Sequence, residues 1–255
     1  MKLLKILKYK LKYKLKNIFG HIWACWALIV FLITMLPSLL VMSRCAWLKD
    51  PKKAGWQQAV SRVWMTVFFA LTGCHRKMVQ SAHYQKGQNY IVVCNHNSFL
   101  DVMVTNPFLP NPSKTIAKKS MASVPLFGWI YKWGSVLVDR NSDQSRRQSY
   151  QEMKKVLANG MDMLLFPEGT RNKTRKPLNK FQSGAFRLAV ETGKPIIPVV
   201  IVGTKKMMPA SKSFYLLPGT IELHFLPPVE PAGLTHIQLS RQIFESMWNV
   251  YEANY

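Results

Sequence analysis

An apolar run in the stretch VCNHNSFLDV (93–102) ends in Asn95 and His96, and Asp101 follows five residues after the histidine. An imidazole takes up a proton near neutral pH. A carboxylate on its second nitrogen fixes the tautomer and supports the cation, so a His–Asp pair suits general-base work on a hydroxyl. A spacing of five does not pair two side chains on a regular helix, where neighbours lie three or four apart. It does so if His96 stands in the turn before a helix and Asp101 in its first turn, with Asn97 or Ser98 as the cap. The plainer alternative is a strand–turn–helix junction with a polar capping run and no chemistry. A metal site needs more ligands than this, and no second histidine lies close in sequence. Cys94 is a nucleophile only if its thiol leaves the core, whereas strand alternation turns Cys94 and Asn95 to opposite faces.

A second polar cluster, FPEGTR (166–171), sets Glu168 and Arg171 around Gly169 and Thr170. A guanidinium beside a glycine turn is a fork for phosphate, and a glutamate can accept from a glycerol-type hydroxyl. The order is not that of a P-loop, since G-x-x-x-x-G-K-[ST] is missing. The alternative is a surface ion pair at a turn, worth little.

For these clusters to meet, the elements that carry them must run side by side. Short apolar runs at 90–94, 135–138, 161–166, 196–202 and 220–225 read as strands. Helical patterns fill 145–159 and 182–192, the latter stopped by Gly193 and Pro195. This alternation predicts an α/β fold with a mainly parallel central sheet flanked by helices. In such sheets chemistry gathers beyond the carboxyl ends of the strands, so His96 and FPEGTR are expected on one edge.

The beginning of the chain is different. Leu4, Leu7, Leu11, Leu15 and Ile18 recur at helical spacing, with Lys5, Lys8, Lys12 and Lys16 on another side: a basic amphipathic helix suited to a headgroup layer, assigned to 1–20. Positions 17–43 hold no Lys, Arg, Asp or Glu, which as a helix is about 40 Å, enough to cross a bilayer core. Pro37 interrupts that run and is a place for a bend. A second apolar stretch, AVSRVWMTVFFALTG, puts Val60, Val63, Trp64, Val67 and Phe68 on one face. Joined near KDPKKAG, the two form a two-helix membrane-anchoring motif over 21–77, either spanning the bilayer or re-entering one leaflet; 78–255 is then the α/β domain. Basic residues at both ends of the pair suit a hairpin whose ends share the cytoplasmic side. A cleaved signal peptide is the alternative, but the run is long for one and no A-x-A-like site follows.

Composition agrees with a membrane surface. In 255 residues, 35 Lys+Arg against 12 Asp+Glu give a net charge of +23, and 48% of residues are hydrophobic, with eight Trp. Such a field favours a polyanionic partner, a nucleic acid or an anionic membrane. A basic nucleic-acid binder leaves both polar clusters unexplained and shows no recognisable binding module. The four cysteines show neither paired nor ligand spacing, which fits reduced thiols facing the cytosol.

Asn95-His96-x-x-x-x-Asp101, VDR at 138–140 after KKSMASVPLFGW, FPEGTR at 166–171 and IIPVVI at 196–201 stand in order. Together they resemble the four blocks of the glycerolipid acyltransferases, most closely the bacterial 1-acylglycerol-3-phosphate (lysophosphatidic acid) acyltransferases, over roughly residues 89–204. The resemblance implies O-acyl transfer from a thioester to the sn-2 hydroxyl of a lysophospholipid, yielding phosphatidic acid, with His96 as general base and Asp101 orienting it. It implies Arg171, Arg140 and Lys119 on the acceptor phosphate; Glu168, Gly169 and Thr170 at the glycerol site; and Pro198 at the wall of the acyl site. It further implies no bound cofactor and no metal, coenzyme A or acyl carrier protein as donor carrier, membrane lipid as partner, and a place on the cytoplasmic face of the inner membrane. Lys173, Arg175, Lys176, Lys180, Lys205 and Lys206 form basic patches suited to either carrier. A lyso-ornithine or lyso-glycine lipid remains an alternative acceptor, because the same arginine forks hold carboxylate.

Overall fold

The computed structural model describes the backbone of residues 2–255 and the side chains from Lys5 onward, except Leu7. The Leu4 and Leu7 positions of the amphipathic stripe therefore lie outside the described residues. Helix α1 runs unbroken over Lys2–Met42, about 60 Å at 1.5 Å per residue. The separate helix expected at 1–20 is instead continuous with the apolar segment, because nothing between the lysine-rich part and Pro37 stops a helix. Pro37 itself is carried inside. Leu11, Leu15 and Ile18 are exposed, as are the lysines beside them.

A tight turn leads into α2 (Lys52–Leu71), which returns antiparallel to α1. Tryptophan indoles pin this hairpin along its length. Trp23 Nε1 donates to the Thr72 carbonyl and Trp26 Nε1 to that of Leu71, both at 3.0 Å. Trp64 donates to Thr34 Oγ1 at 2.9 Å, and Trp56 to the Val41 carbonyl at 3.1 Å. The expected apolar face of α2 divides in two: Trp64 and Phe68 enter the core, while Val63 and Val67 stay outside. Gln57, Gln58 and Ser61 are buried against the domain, with Gln58 Nε2 donating to the Leu109 carbonyl at 2.7 Å. The hairpin is thus bound into the α/β unit through α2, and α1 adds a bond of its own, with Leu216 N donating to the Gly20 carbonyl at 3.1 Å.

From there the chain alternates: β1 (Cys74–Val79), β2 (Ile91–Cys94), α3 (Leu100–Thr105), β3 (Ser113–Lys118), α4 (Phe127–Gly134), β4 (Ser135–Val138), α5 (Asp143–Ala158), β5 (Asp162–Leu165), α6 (Gly184–Thr192), β6 (Ile196–Val202), α7 (Thr204–Met207), β7 (Gly219–Phe225) and α8 (His236–Asn254). Among the described residues the strands form one sheet in the order β1-β7-β6-β2-β5-β3-β4. The five strands β2 to β6 are mutually parallel, and the β1/β7 pair runs opposite to them. The boundary drawn after residue 77 falls inside β1, which pairs with β7 from Cys74 onward, so the hairpin feeds straight into the sheet.

Strand alternation splits the core. Val92, Cys94, Leu164, Ile197 and Val199 face the layer of α1, α2 and α3. Ile91, Val93, Met163, Ile196 and Val200 face α5, α6 and α8. At the amino end of β5, buried Asp162 accepts from Tyr90 N at 2.8 Å and Asn89 Nδ2 at 3.3 Å. Burial pushes its carboxyl up to about 8, against the Tyr90 N–H bond that lowers it. An unfolded aspartate titrates near 3.8, so stability tied to protonated Asp162 is present at low pH and lost as pH rises through 8. Between pH 5 and 8 the wild type should lose stability relative to Asp162→Asn, measured by thermal unfolding in detergent micelles; parallel pH curves would contradict this.

Candidate active site

The carboxyl ends of β2 to β6 share one edge, and the polar clusters meet there. Asp101 sits in the first turn of α3, fully buried. Its Oδ2 accepts from Asn97 N at 2.6 Å and Ser98 N at 2.7 Å, and lies 3.0 Å from His96 Nδ1. Ser98 Oγ accepts from Leu100 N at 3.2 Å, but Phe99 stands at the N-cap of α3 without a side-chain cap, so neither Asn97 nor Ser98 takes the expected capping position. Two backbone N–H donors on the oxygen that faces Nδ1 fix the Asp101 side chain beside the ring. The bond at Nδ1 leaves Nε2 as the nitrogen that can accept a proton. The imidazole side chain is 19% exposed and stacks on Phe166 at 4.4 Å between centroids.

The loop after β5 fixes the main chain of His96 on both sides. His96 N donates to Glu168 Oε1 at 2.7 Å, and Asn172 N donates to the His96 carbonyl at 2.6 Å. Glu168 Oε2 accepts from Asn179 N at 2.9 Å. Each carboxylate oxygen thus holds one backbone N–H, a bracing of the loop that the residue type alone did not announce. Burial pushes Glu168 up to about 7, opposed by those two N–H bonds, with the Asp101 charge adding a smaller rise. No Glu168–Arg171 ion pair occurs among the described residues.

Gly169 makes the turn at φ +69°, a left-handed conformation that a Cβ disfavours. Its N–H donates to the Phe166 carbonyl at 3.0 Å, and Thr170 is exposed beside it. The Arg171 guanidinium carbon lies over the Phe99 ring, 3.7 Å from its centroid. Arg140, past the end of β4, donates through Nη1 to the Gly169 carbonyl. Lys119 opens the turn after β3 and is exposed. Because β5, β3 and β4 follow β2 in the sheet, Arg171 is the first cation beside His96 on that side, with Lys119 and Arg140 beyond it.

Pro198 is not part of this cluster. It pairs with Val93 in mid-sheet, on the face toward α6 and α8, and its carbonyl accepts from Leu226 N at 2.9 Å. Its missing N–H is tolerated because the β6/β7 ladder begins only at Val199. Pro198 stands within the sheet, apart from the polar side chains of the edge.

Cys94 is completely buried, and burial raises its thiol well above the usual value. A thiolate nucleophile there is excluded. Two further residues stand beside the site: Lys205, expected only as part of a basic patch, and Tyr251, which carried no signal in the sequence. Lys205, past β6, has its ammonium 3.2 Å from the Lys176 carbonyl, and burial lowers its pKa against the attraction of Glu168. Tyr251, from α8, places its hydroxyl 3.3 Å from Asn97 Nδ2.

A mainly parallel α/β sheet here carries an imidazole–carboxylate pair at a strand end, a neighbouring guanidinium and an attached apolar hairpin, an arrangement with the chemistry to draw a proton from a hydroxyl beside an anion. The family model described as Acyltransferase matches residues 75–202, half of the chain. The chain belongs to the acyltransferase family. It is 37% identical over 142 residues to a 1-acyl-sn-glycerol-3-phosphate acyltransferase of Chlamydomonas reinhardtii, covering 54% of this chain and 42% of that protein. The corresponding figures are 32% over 145 residues for the enzyme of that name from Escherichia coli, with 56% and 57% covered. Those matches span about half the length of the relatives. The crystal structure of the 1-acyl-sn-glycerophosphate (LPA) acyltransferase from Thermotoga maritima superposes with a TM-score of 0.77 over 94% of this chain and 96% of that one, at 24% identity, so the fold is shared.

Proposed function

We propose that this protein moves a fatty acyl group from a thioester to the sn-2 hydroxyl of 1-acylglycerol-3-phosphate, giving phosphatidic acid. The observation that carries the reading is the Asp101-anchored imidazole one strand away from Arg171. His96 Nε2 takes the hydroxyl proton as the oxygen attacks the thioester carbonyl. The tetrahedral adduct collapses, the C–S bond breaks, and the departing thiolate takes the proton back from the imidazolium. The acceptor supplies the hydroxyl that a serine supplies in a Ser-His-Asp triad, so no acyl-enzyme forms. Arg171, backed by Arg140 and Lys119, holds the phosphate. Glu168 keeps the His96 main chain in register rather than touching glycerol.

The apolar hairpin supports a membrane setting for this reaction, and the charge and topology suit the cytoplasmic face of the bacterial inner membrane. Ile22, Trp26, Ile29, Ile33, Leu36 and Leu40 form an exposed apolar stripe on α1, Ile33 at 65% and Leu40 at 76%. Among the described residues, one helix, over Lys8–Ala46, is long and apolar enough to cross a bilayer. Because α2 is packed on the domain and α1 on α2, the reading has the stripe enter one leaflet from the side. Changing Ile29, Ile33 and Leu36 to serine should lower partitioning onto anionic vesicles more than about tenfold, since each removes roughly 1.5–3 kcal/mol of apolar burial. Unchanged co-sedimentation would refute the docking surface.

The functional test is a two-substrate assay: several lysolipids against coenzyme A and acyl carrier protein thioesters. Fastest transfer to lysophosphatidic acid is expected. Equal or faster acylation of a lyso-ornithine or lyso-glycine lipid would overturn the phosphate assignment.

A further inference from the structure

A groove of about 710 Å³ lies between the segment after FPEGTR and α8. It opens on the α5/α6/α8 face, opposite the layer that carries the apolar hairpin. Its floor is aromatic: Phe181 meets Phe244 edge-on at 5.0 Å, and Phe244 tilts against Trp248 at 5.6 Å. Lys176, Lys180 and Arg241 stand at the rim. The one acid there, Glu245, is bonded to Arg241 at 2.9 Å, so the rim keeps a positive excess.

The groove ends behind the catalytic loop. Trp248 lies one helical turn before Tyr251, whose hydroxyl meets Asn97. On the opposite wall, Asn179 N is bonded to the Glu168 carboxylate that also holds His96 N. From His236 to Trp248 the groove follows α8 for about 18 Å, at 1.5 Å per residue. His96 therefore has a basic approach on each side: Arg171 and its neighbours toward β4, Lys205 and this groove toward α8.

We infer that the groove binds the nucleotide end of a coenzyme A thioester. The purine stacks on the aromatic floor, the phosphates meet the rim cations, and the acyl-bearing arm runs along α8 to His96. The inference rests on the acyl-transfer reading above. A ligand entering away from the apolar stripe is water-soluble, an excess of cations asks for a polyanion, and an aromatic shelf asks for a flat π face. The volume is that of a small-molecule site, and a concave floor suits a nucleotide better than the convex surface of an acidic carrier protein.

The test uses the full chain in detergent micelles with adenosine 3′,5′-bisphosphate as probe. Calorimetry should show binding to wild type, with binding to Arg241→Glu about tenfold weaker, the loss of one charge-assisted contact. Kinetically, Arg241→Glu and Trp248→Ala should raise KM for acyl-coenzyme A about tenfold. The same variants should leave kcat/KM for a truncated acyl-pantetheine donor within twofold. Arg241 is exposed, so its variant tests the groove even if Trp248→Ala does not fold. No binding of the probe by wild type overturns the inference, as does an equal loss with the truncated donor. Use of acyl carrier protein thioesters alone, weakened by the same variants, would make the groove a protein-docking surface and also overturn it. Probe binding needs no lysolipid, so a chain that binds the nucleotide but acylates no acceptor would sink the proposed function and leave the groove standing.

Discussion

Alanine at His96 should lower kcat for phosphatidic acid formation by about 10³- to 10⁴-fold, while vesicle binding and the unfolding midpoint stay near wild type. The group removed is the proton acceptor, and the loop that carries it is held by other bonds. Glu168 and Asn172 grip the main chain at position 96, which alanine keeps. Asp101→Asn should show the same defect in milder form together with a stability loss, because the Asp101 Oδ2 that orients the ring also accepts two backbone N–H groups. Turnover by His96→Ala within tenfold of wild type would remove the imidazole from the mechanism.

Alanine at Arg171 should act on the acceptor. A bidentate guanidinium–phosphate contact is worth roughly 1.5–3 kcal/mol, or about 10- to 100-fold in binding. KM for lysophosphatidic acid should rise by that factor, with KM for the donor unchanged. Lysine at 171 should recover only part of the loss, since an ammonium cannot reproduce the fork or the guanidinium's contact over Phe99. The same readout separates Arg171 from Arg140, which already spends one donor on the Gly169 carbonyl and should matter less. A variant altered only in donor KM would assign Arg171 to the other substrate.

The sequence was most legible where hydrophobic pattern and turn chemistry agreed. The five apolar runs are strands, and Gly193 closes α6 in the left-handed conformation expected of a stop. The placement of His96 and FPEGTR on one edge followed from the parallel reading, and β2 and β5 are indeed neighbours. β1 and β3 were missed because CHRKMV and SKTIAK are too polar to stand out: one is an edge strand, the other is buried only at alternate positions. The charge-based division near residue 20 failed because a change in side-chain polarity does not end a helix. The backbone partners of Glu168 were not legible, because residue type announces a hydrogen-bond acceptor but not which donors the fold will aim at it. The same holds for Tyr251, which reaches the site from 154 residues away, and for Pro198, whose facing depends on register.

The central claim is that the acceptor's own hydroxyl, deprotonated at His96, is the nucleophile. Rapid mixing of wild-type protein with a coenzyme A thioester, followed by detection of released thiol, tests it most directly. Thiol release should be absent without lysophosphatidic acid and should begin, without a lag, when the acceptor is added. A stoichiometric burst of thiol in the absence of acceptor would mean that a protein group takes the acyl chain first, and would contradict the account.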